Sequence, residues 1–192
     1  MVKLNSIIGK PTKILAIDAS TTSLAFSVFS SKTLTSFGKI KYSGITTYDK
    51  VIDACKKTKA FFDMYGPFDA VVIEHTVFMN SPKTAADLAL VQGALLGAAG
   101  LTGVSVIKSV APITWQNYIG NKKLTKEEKL EIRKKNPGKS ESWFKTYERN
   151  LRKQKTISYI NIQYDRMVSD PDVADAIGIG HYAINNWDRL TD

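Results

Sequence analysis

The stretch that decides the fold is ILAIDASTTSLAFSVFS, residues 14–30. An aliphatic run over residues 13–18 is typical of a buried strand, and it ends in Asp18. After Ser-Thr-Thr, residues 23–30 resume as a second strand, and residues 34–42 predict a third. The connections are so short that neighbouring strands must be antiparallel. The first forty residues therefore predict a three-stranded meander that opens a sheet.

The remaining chain alternates helices and strands. Helical patterns cover residues 48–64 and a segment that begins after Ser81-Pro82, and strands are predicted at 69–74 and 104–107. Strand, helix, strand after a meander predicts an α/β domain with a mixed five-stranded sheet flanked by helices. Further helices are predicted at 112–120, 124–135, 142–167 and from the Asp170-Pro171 cap to about Asn186.

Four acidic residues stand at the ends of apolar segments. Asp18 closes the first strand and Glu74 closes DAVVIEHT, while Asp172 and Asp175 lie three residues apart in SDPDVADAIGIG. A carboxylate beside buried Val and Ile is costly unless a positive partner compensates it. Oxygen ligands of this kind suit hard divalent cations. The pattern predicts a metal site, although Asp172 alone is equally compatible with a helix cap.

The predicted positions of these four carboxylates in strands and helix suggest that they lie close together. Carboxyl ends of strands in open sheets commonly border ligand sites, and residues three apart on a helix share one face. Four carboxylates can hold two divalent ions about 3.5–4 Å apart, the arrangement used in phosphoryl transfer. The sequence therefore favours a nuclease-type site built from two strand ends and one helical turn.

Composition restricts the class of protein. The 192 residues fit one domain; a lone cysteine excludes a disulfide framework, and no apolar run reaches membrane-span length. Residues 121–160 contain 13 basic and 5 acidic residues, a net charge of +8 within a total of +9. Such a charge run is compatible with a solvated helix face, but the aromatic residues within it favour nucleic acid. We expect a cytoplasmic protein with no membrane partner.

The ordered set ILAIDASTTSLAFSVF, VVIEHTVFM, LVQGALLG, PITWQNYIG and DVADAIGIGHY resembles the RuvC-type Holliday junction resolvases of the RNase H-like superfamily. The resemblance runs from about residue 13 to 186. It implies that Asp18, Glu74, Asp172 and Asp175 are catalytic ligands of two Mg²⁺ or Mn²⁺ ions. It also implies a homodimer, with the helix around residues 88–96 at the interface, that makes paired nicks in four-way branched DNA.

Further roles follow from the same resemblance. Phe78 resembles an aromatic residue that opens base pairs, although it lies one residue further from Glu74 than is usual. Lys155 resembles a lysine that contacts the scissile phosphate, and Lys153 or Arg152 are alternatives for that role. A single RNase H-like domain is expected, with a basic helical insertion at about 121–155 of the kind found in phage-type members, which act in virus-infected bacteria. Its predicted phosphate contacts are Lys122, Lys123, Lys126, Lys129, Arg133, Lys134 and Lys135.

Other functions stay open at this point. A nuclease for RNA or unbranched nucleic acid would need the same carboxylates, and a non-catalytic DNA-binding protein would need the same basic segment. Against the second, a pure binder has no use for a desolvated acidic cluster facing a polyanion. Half of a sugar-kinase or actin-like ATPase is disfavoured because the second glycine-rich phosphate loop is missing.

Overall fold

The computed structural model describes residues 10–75 and 81–191. Its sheet has the order β3-β2-β1-β4-β5. The β1–β2 and β2–β3 pairs are antiparallel, and β4 and β5 run parallel to β1. The predicted mixed five-stranded sheet is confirmed. Its strands are β1 (Lys13–Ala19), β2 (Ser23–Ser30), β3 (Thr33–Lys41), β4 (Ala70–Glu74) and β5 (Val106–Val110).

The last strand differs from its prediction at 104–107. Val104 is buried in the core, but its N–H donates to the carbonyl of Ala99 and so closes the preceding helix. The strand itself continues through Lys108 and Ser109, and Ser109 forms a β-bridge with Thr191. The apolar pattern identified the buried residues at this point, whereas backbone hydrogen bonds define where the strand lies.

Helices cover both faces of the sheet. One face packs against the first two helices, and the other packs against the third, fifth and sixth, whereas the fourth contributes no buried residue. The arrangement is a three-layered α/β domain. In chain order the helices are α1 (Thr47–Tyr65), α2 (Pro82–Leu101), α3 (Pro112–Tyr118), α4 (Lys126–Lys135), α5 (Glu141–Tyr164) and α6 (Pro171–Asn185). The predicted end of α5 at residue 167 is wrong, because Asp165 adopts a left-handed conformation that ends the helix.

The central helix of the second face is α6. Gly178 and Gly180 allow it to lie directly on its neighbours: a Cβ at Gly178 would come within 2.6 Å of Trp115, and one at Gly180 within 2.3 Å of Phe29. The hydroxyl of Ser27 also donates to the α6 carbonyl of Ala176 at 2.8 Å. Close packing therefore holds the start of α6 over the ends of β1 and β4.

Among the described residues, one helix, α2, is long and apolar enough to cross a membrane by length and composition, whereas no apolar run of that length was expected from the sequence. Four residues on its inner side are buried, and three of them, Val91, Leu95 and Ala99, belong to the core cluster formed with α1 and the sheet. One side of α2 therefore packs on the core. Leu90 and Leu101 remain exposed on its outer side.

Candidate active site

A row of four residues crosses the sheet next to the predicted site. Asp18 pairs with Ala25 on β2, and Ala25 pairs with Lys39 on β3. On the other side, the β1–β4 register brings Glu74 next to Asp18. Residues in register on adjacent strands point to the same face of a sheet. Lys39, Ala25, Asp18 and Glu74 therefore all face the α6 side.

Helix α6 supplies the other two predicted carboxylates. Asp170 is its N-cap and accepts from the N–H groups of Asp172 and Val173 at 2.9 and 3.2 Å. Asp172 is thus in the first turn without being the cap, which removes the alternative that the sequence left open. Asp175 follows one turn later, above the row on the sheet, and its charge acts on Asp18.

The two innermost carboxyls are strongly perturbed. Burial, then the charges of Glu74, Asp175 and Asp172, raise the pKa of Asp18 well above its usual range. Burial and the charge of Glu74 raise the pKa of Asp175 to about 7. Both shifts report mutual repulsion in a partly desolvated space. The four predicted carboxylates therefore lie close enough to act on one another.

Glu74 is positioned by a residue that the sequence reasoning did not single out. Trp115 on α3 is fully buried, and its Nε1 donates to Oε1 of Glu74 at 2.7 Å. Burial raises the pKa of Glu74, and this hydrogen bond partly offsets the increase. The indole fixes the orientation of the carboxylate while leaving its other oxygen without a Trp contact. The only sequence sign of this contact was the placement of Trp115 in the motif PITW.

Asp172 lies between two lysines. Lys39 Nζ contacts its Oδ2 at 2.5 Å and also contacts Asp170 at 3.1 Å, and Lys153 Nζ contacts its Oδ1 at 3.2 Å. Burial alone would raise the pKa of Asp172, but the hydrogen bonds from both lysines outweigh burial and lower it. Asp172 is therefore the carboxylate of the four that is already paired with cations.

The neighbouring basic residues of α5 have different surroundings. Lys153 reaches the carboxylates, whereas Lys155 is exposed and lines a hollow with Ile119 and Tyr159 on another side of the helix. Arg152 donates to Gln116 and so joins α5 to α3. Among the three alternatives for the phosphate-contacting residue, the geometry favours Lys153.

The predicted phosphate contacts in 121–135 fall into two groups. Lys129 pairs with Glu148 at 3.1 Å and Arg133 pairs with Glu141 at 2.5 Å, so both side chains join α4 to α5. The remainder are exposed, namely Lys122, Lys123, Lys126, Lys134 and Lys135. Phe78 lies outside the described residues, so its predicted role stays a prediction.

The donor chemistry of this site fits divalent cations. Four carboxylates supply hard oxygen ligands, and the raised pKa values of Asp18 and Asp175 indicate a local excess of negative charge that a cation would relieve. Among the described residues, no three His, Cys, Asp or Glu side chains form a ready-made metal cage. In this arrangement Trp115 donates to Glu74 and two lysines contact Asp172.

The fold of the chain is shared with solved structures of Holliday junction resolvases. No protein-family model and no curated protein matches the sequence. Solved structures do match. Thermus thermophilus RuvC in complex with a Holliday junction substrate superposes with a TM-score of 0.64 at 16% identity, over 91% of this chain and 96% of that one.

Two other solved structures agree with this comparison. Another structure of Thermus thermophilus RuvC gives a TM-score of 0.63 at 16% identity, over 93% of this chain and 98% of that one. The yeast mitochondrial Holliday junction resolvase Ydc2 gives a TM-score of 0.54 at 11% identity, over 94% of this chain and 80% of that one. The resemblance inferred from the sequence motifs is confirmed at the level of the fold. The phage-type assignment is tested by none of them and stays a prediction.

Proposed function

We propose that the protein is a metal-dependent, structure-selective endonuclease that cuts four-way junctions and related branched DNA. The observation that carries the proposal is the cluster of four carboxylates, in which burial and then the charges of the other three raise the pKa of Asp18. In a protein that only bound DNA, such a cluster would be a disadvantage, because half-buried carboxylates are costly and face a polyanion. The fold shared with two Holliday junction resolvases supports the choice of substrate.

The four carboxylates are proposed as ligands for two Mg²⁺ or Mn²⁺ ions. When bound, such ions activate the attacking water and stabilise the leaving 3′ oxygen of a phosphodiester. Asp18, Glu74 and Asp175 are half-buried, and the hydrogen bond from Trp115 orients the carboxylate of Glu74. Close packing of α6 on the sheet holds the helix-borne ligands against the strand-borne ones.

Lys153 is proposed to contact the scissile phosphate. Its ammonium group lies beside Asp172 at the edge of the carboxylate cluster, where it can bind a phosphate oxygen while the ligands hold the ions. The charge of Lys153 also lowers the pKa of Asp18 and so helps to keep that carboxyl ionised. These features support Lys153 as the residue that links DNA binding to the site.

A homodimer is proposed as the working form, since paired nicks on opposite strands need two sites. The outer side of α2 is the candidate interface, where Leu90 and Leu101 are 46% and 78% exposed. Glycines at 93, 97 and 100 on that side have open space in front of them and would permit close approach of a second helix. Light scattering of purified protein tests this, and a monomer at the concentrations that cut junctions would exclude it.

The test of the function compares binding with cutting. In Mg²⁺, the protein should nick a synthetic four-way junction symmetrically, whereas Asp18→Asn should bind the junction and leave it uncut. Asp188→Asn, an exposed acidic residue outside the cluster, is the matched control and should cut normally. Absence of cutting with every divalent metal would exclude an enzyme, and equal cutting of linear duplex would exclude selectivity for branches.

A further inference from the structure

We propose that one side of α5, carrying Arg149, Thr146 and Ser142, binds the duplex arm of DNA that leads away from the site. This inference rests on the proposed nuclease function and names a surface of it that neither the motifs nor the predicted phosphate contacts include. The hairpin formed by α4 and α5, residues 126–164, would then be a track for one arm of the branched substrate.

Lys153 identifies the relevant side of α5. Its Nζ lies 3.2 Å from Asp172, so this side of the helix faces the carboxylates. Ile160, two turns further along on the same side, is completely buried in the core cluster that contains residues of α6. Contacts at two positions, Lys153 and Ile160, therefore fix how this side of the uninterrupted helix α5 is oriented towards the active site.

Helical periodicity extends this side outward. Residues four, seven and eleven positions before Lys153 lie on the same side of a 3.6-residue helix. They are Arg149, Thr146 and Ser142, and all three are exposed. Within the part of the chain that the structure describes, Arg149 has no ion-pair partner. A cation and two hydroxyls are the groups that bind phosphate oxygens without reading sequence.

The acidic residues of the same helix point elsewhere. Glu141 and Glu148 are paired with Arg133 and Lys129 of α4, and the Arg133 guanidinium also lies 4.6 Å from the ring centroid of Phe144. These contacts neutralise the acids on the α4 side and brace the hairpin. The side that continues from the active site is left with positive charge only.

The dimensions match a length of duplex. Lys153 and Ser142 are 11 positions apart, which corresponds to about 16 Å along the helix axis. At about 3.4 Å per base pair this is roughly five base pairs. The surface is therefore long enough for half a turn of an arm, measured from the phosphate held near Lys153.

The chemistry of the surface favours DNA over an acidic protein partner. The helix side is narrow and continuous with a carboxylate cluster that would repel an acidic polypeptide, whereas that cluster loaded with cations would attract a phosphate backbone. Trp143 and Tyr147 lie stacked at its flank, with ring centroids 5.0 Å apart. Aromatic side chains beside phosphate-binding groups are a feature of nucleic-acid surfaces.

The experiment compares Arg149→Gln with Lys56→Gln. Lys56 is an exposed cation on α1, which covers the other face of the sheet, so the second variant has the same net charge without the proposed contact. Binding to a fluorescent four-way junction is measured by anisotropy in EDTA over a range of salt concentrations. We expect Arg149→Gln to weaken binding roughly 3- to 10-fold and to reduce the salt slope by about 0.9, the value for one phosphate contact.

Two further measurements make the result specific. Arg149→Lys keeps the charge and should recover most of the affinity. With a single-stranded oligonucleotide in place of the junction, the difference between Arg149→Gln and wild type should shrink, because no duplex arm is present. Matching unfolding temperatures for all variants exclude a folding defect.

The outcomes separate this inference from the function on which it rests. If wild-type protein binds and cuts junctions but Arg149→Gln behaves like Lys56→Gln, the α5 surface is not the arm-binding track. If wild-type protein neither binds nor cuts any junction, the proposed function itself fails. An undiminished effect of Arg149→Gln on single-stranded DNA would show that Arg149 does not contact a duplex arm and would also overturn the track.

Discussion

Replacing Asp175 with Asn should stabilise the metal-free protein while it abolishes cutting. Asp175 is a half-buried carboxylate whose pKa is raised from 3.8 to about 7 by burial and by the charge of Glu74. Above pH 7 the folded protein must hold this charge in an unfavourable place. Asparagine has nearly the same shape and no charge, so it removes that cost.

The pH dependence has a definite sign. Because its pKa is higher in the folded state, folded Asp175 binds a proton more tightly than unfolded Asp175, and the wild-type protein loses stability as pH rises from about 4 to about 7. The gain from Asp175→Asn should be nearly absent at pH 4 and complete at pH 8. Carboxylates with lowered pKa values show the opposite trend.

The magnitude follows from the shift. The pKa of Asp175 differs by about three between the folded and unfolded states, which corresponds to on the order of 4 kcal/mol in the free energy of unfolding as an upper limit. Solvent screens the charge of a partly exposed carboxylate. We therefore expect Asp175→Asn to gain about half of that free energy, near 2 kcal/mol at pH 8. For a chain of this size that corresponds to roughly 4–8 °C in melting temperature.

The assay is thermal or urea unfolding in EDTA at pH 4 and pH 8, with Asp188→Asn as the control. Asp188 is 77% exposed, so its replacement should change stability by less than about 0.5 kcal/mol at either pH. Added Mg²⁺ should raise the melting temperature of wild type more than that of Asp175→Asn. An unchanged or lower stability of Asp175→Asn at pH 8, or an equal gain at both pH values, would refute the reasoning.

Three further predictions concern other parts of the molecule. Lys39→Met should tighten Mn²⁺ binding about fivefold by calorimetry, because Asp172 loses a competing cation worth ~1 kcal/mol; weaker binding would contradict this. Gly180→Ala should cost about 1–3 kcal/mol in urea unfolding, and Phe29→Leu in the same chain should recover part of it, whereas strict additivity would show that the two side chains do not meet. Burial lowers the pKa of His181 below its usual 6.5, so NMR should show that the ring is still neutral at pH 6.5. The free energy of unfolding should then fall as pH drops below about 6.5. A ring that titrates at or above pH 6.5 would disprove this prediction.

Much of the fold was predictable because local pattern and tertiary structure agree. The strand that ends at Asp18 is apolar on both faces, as a central strand must be, and the cap at Asp170 followed by Pro171 marks the start of α6. The helix predicted over residues 142–167 was too long at its end: Asp165 ends α5 in a left-handed conformation, and Met167 beyond it is 99% exposed.

The candidate site divides in the same way. Its four carboxylates were visible in the sequence because charge is rare at the ends of buried segments. Their partners were not visible. Trp115 looked like any core aromatic residue, and Lys39 looked like a surface lysine on an edge strand. Partners that lie far apart in the chain leave no local pattern.

The sequence by itself determined the α/β class, the strand ends and helical turn that carry the carboxylates, and the basic segment from residue 121. Only the tertiary structure decided which cations serve the site. Lys39 meets Asp172 because the register of three strands places it in the row with Asp18, across the small side chain of Ala25. Lys153, and neither Arg152 nor Lys155, reaches Asp172 because of the way α5 is rotated against α6. Register and rotation arise from packing between distant segments, and a single residue of shift in either would turn a different side chain towards the site.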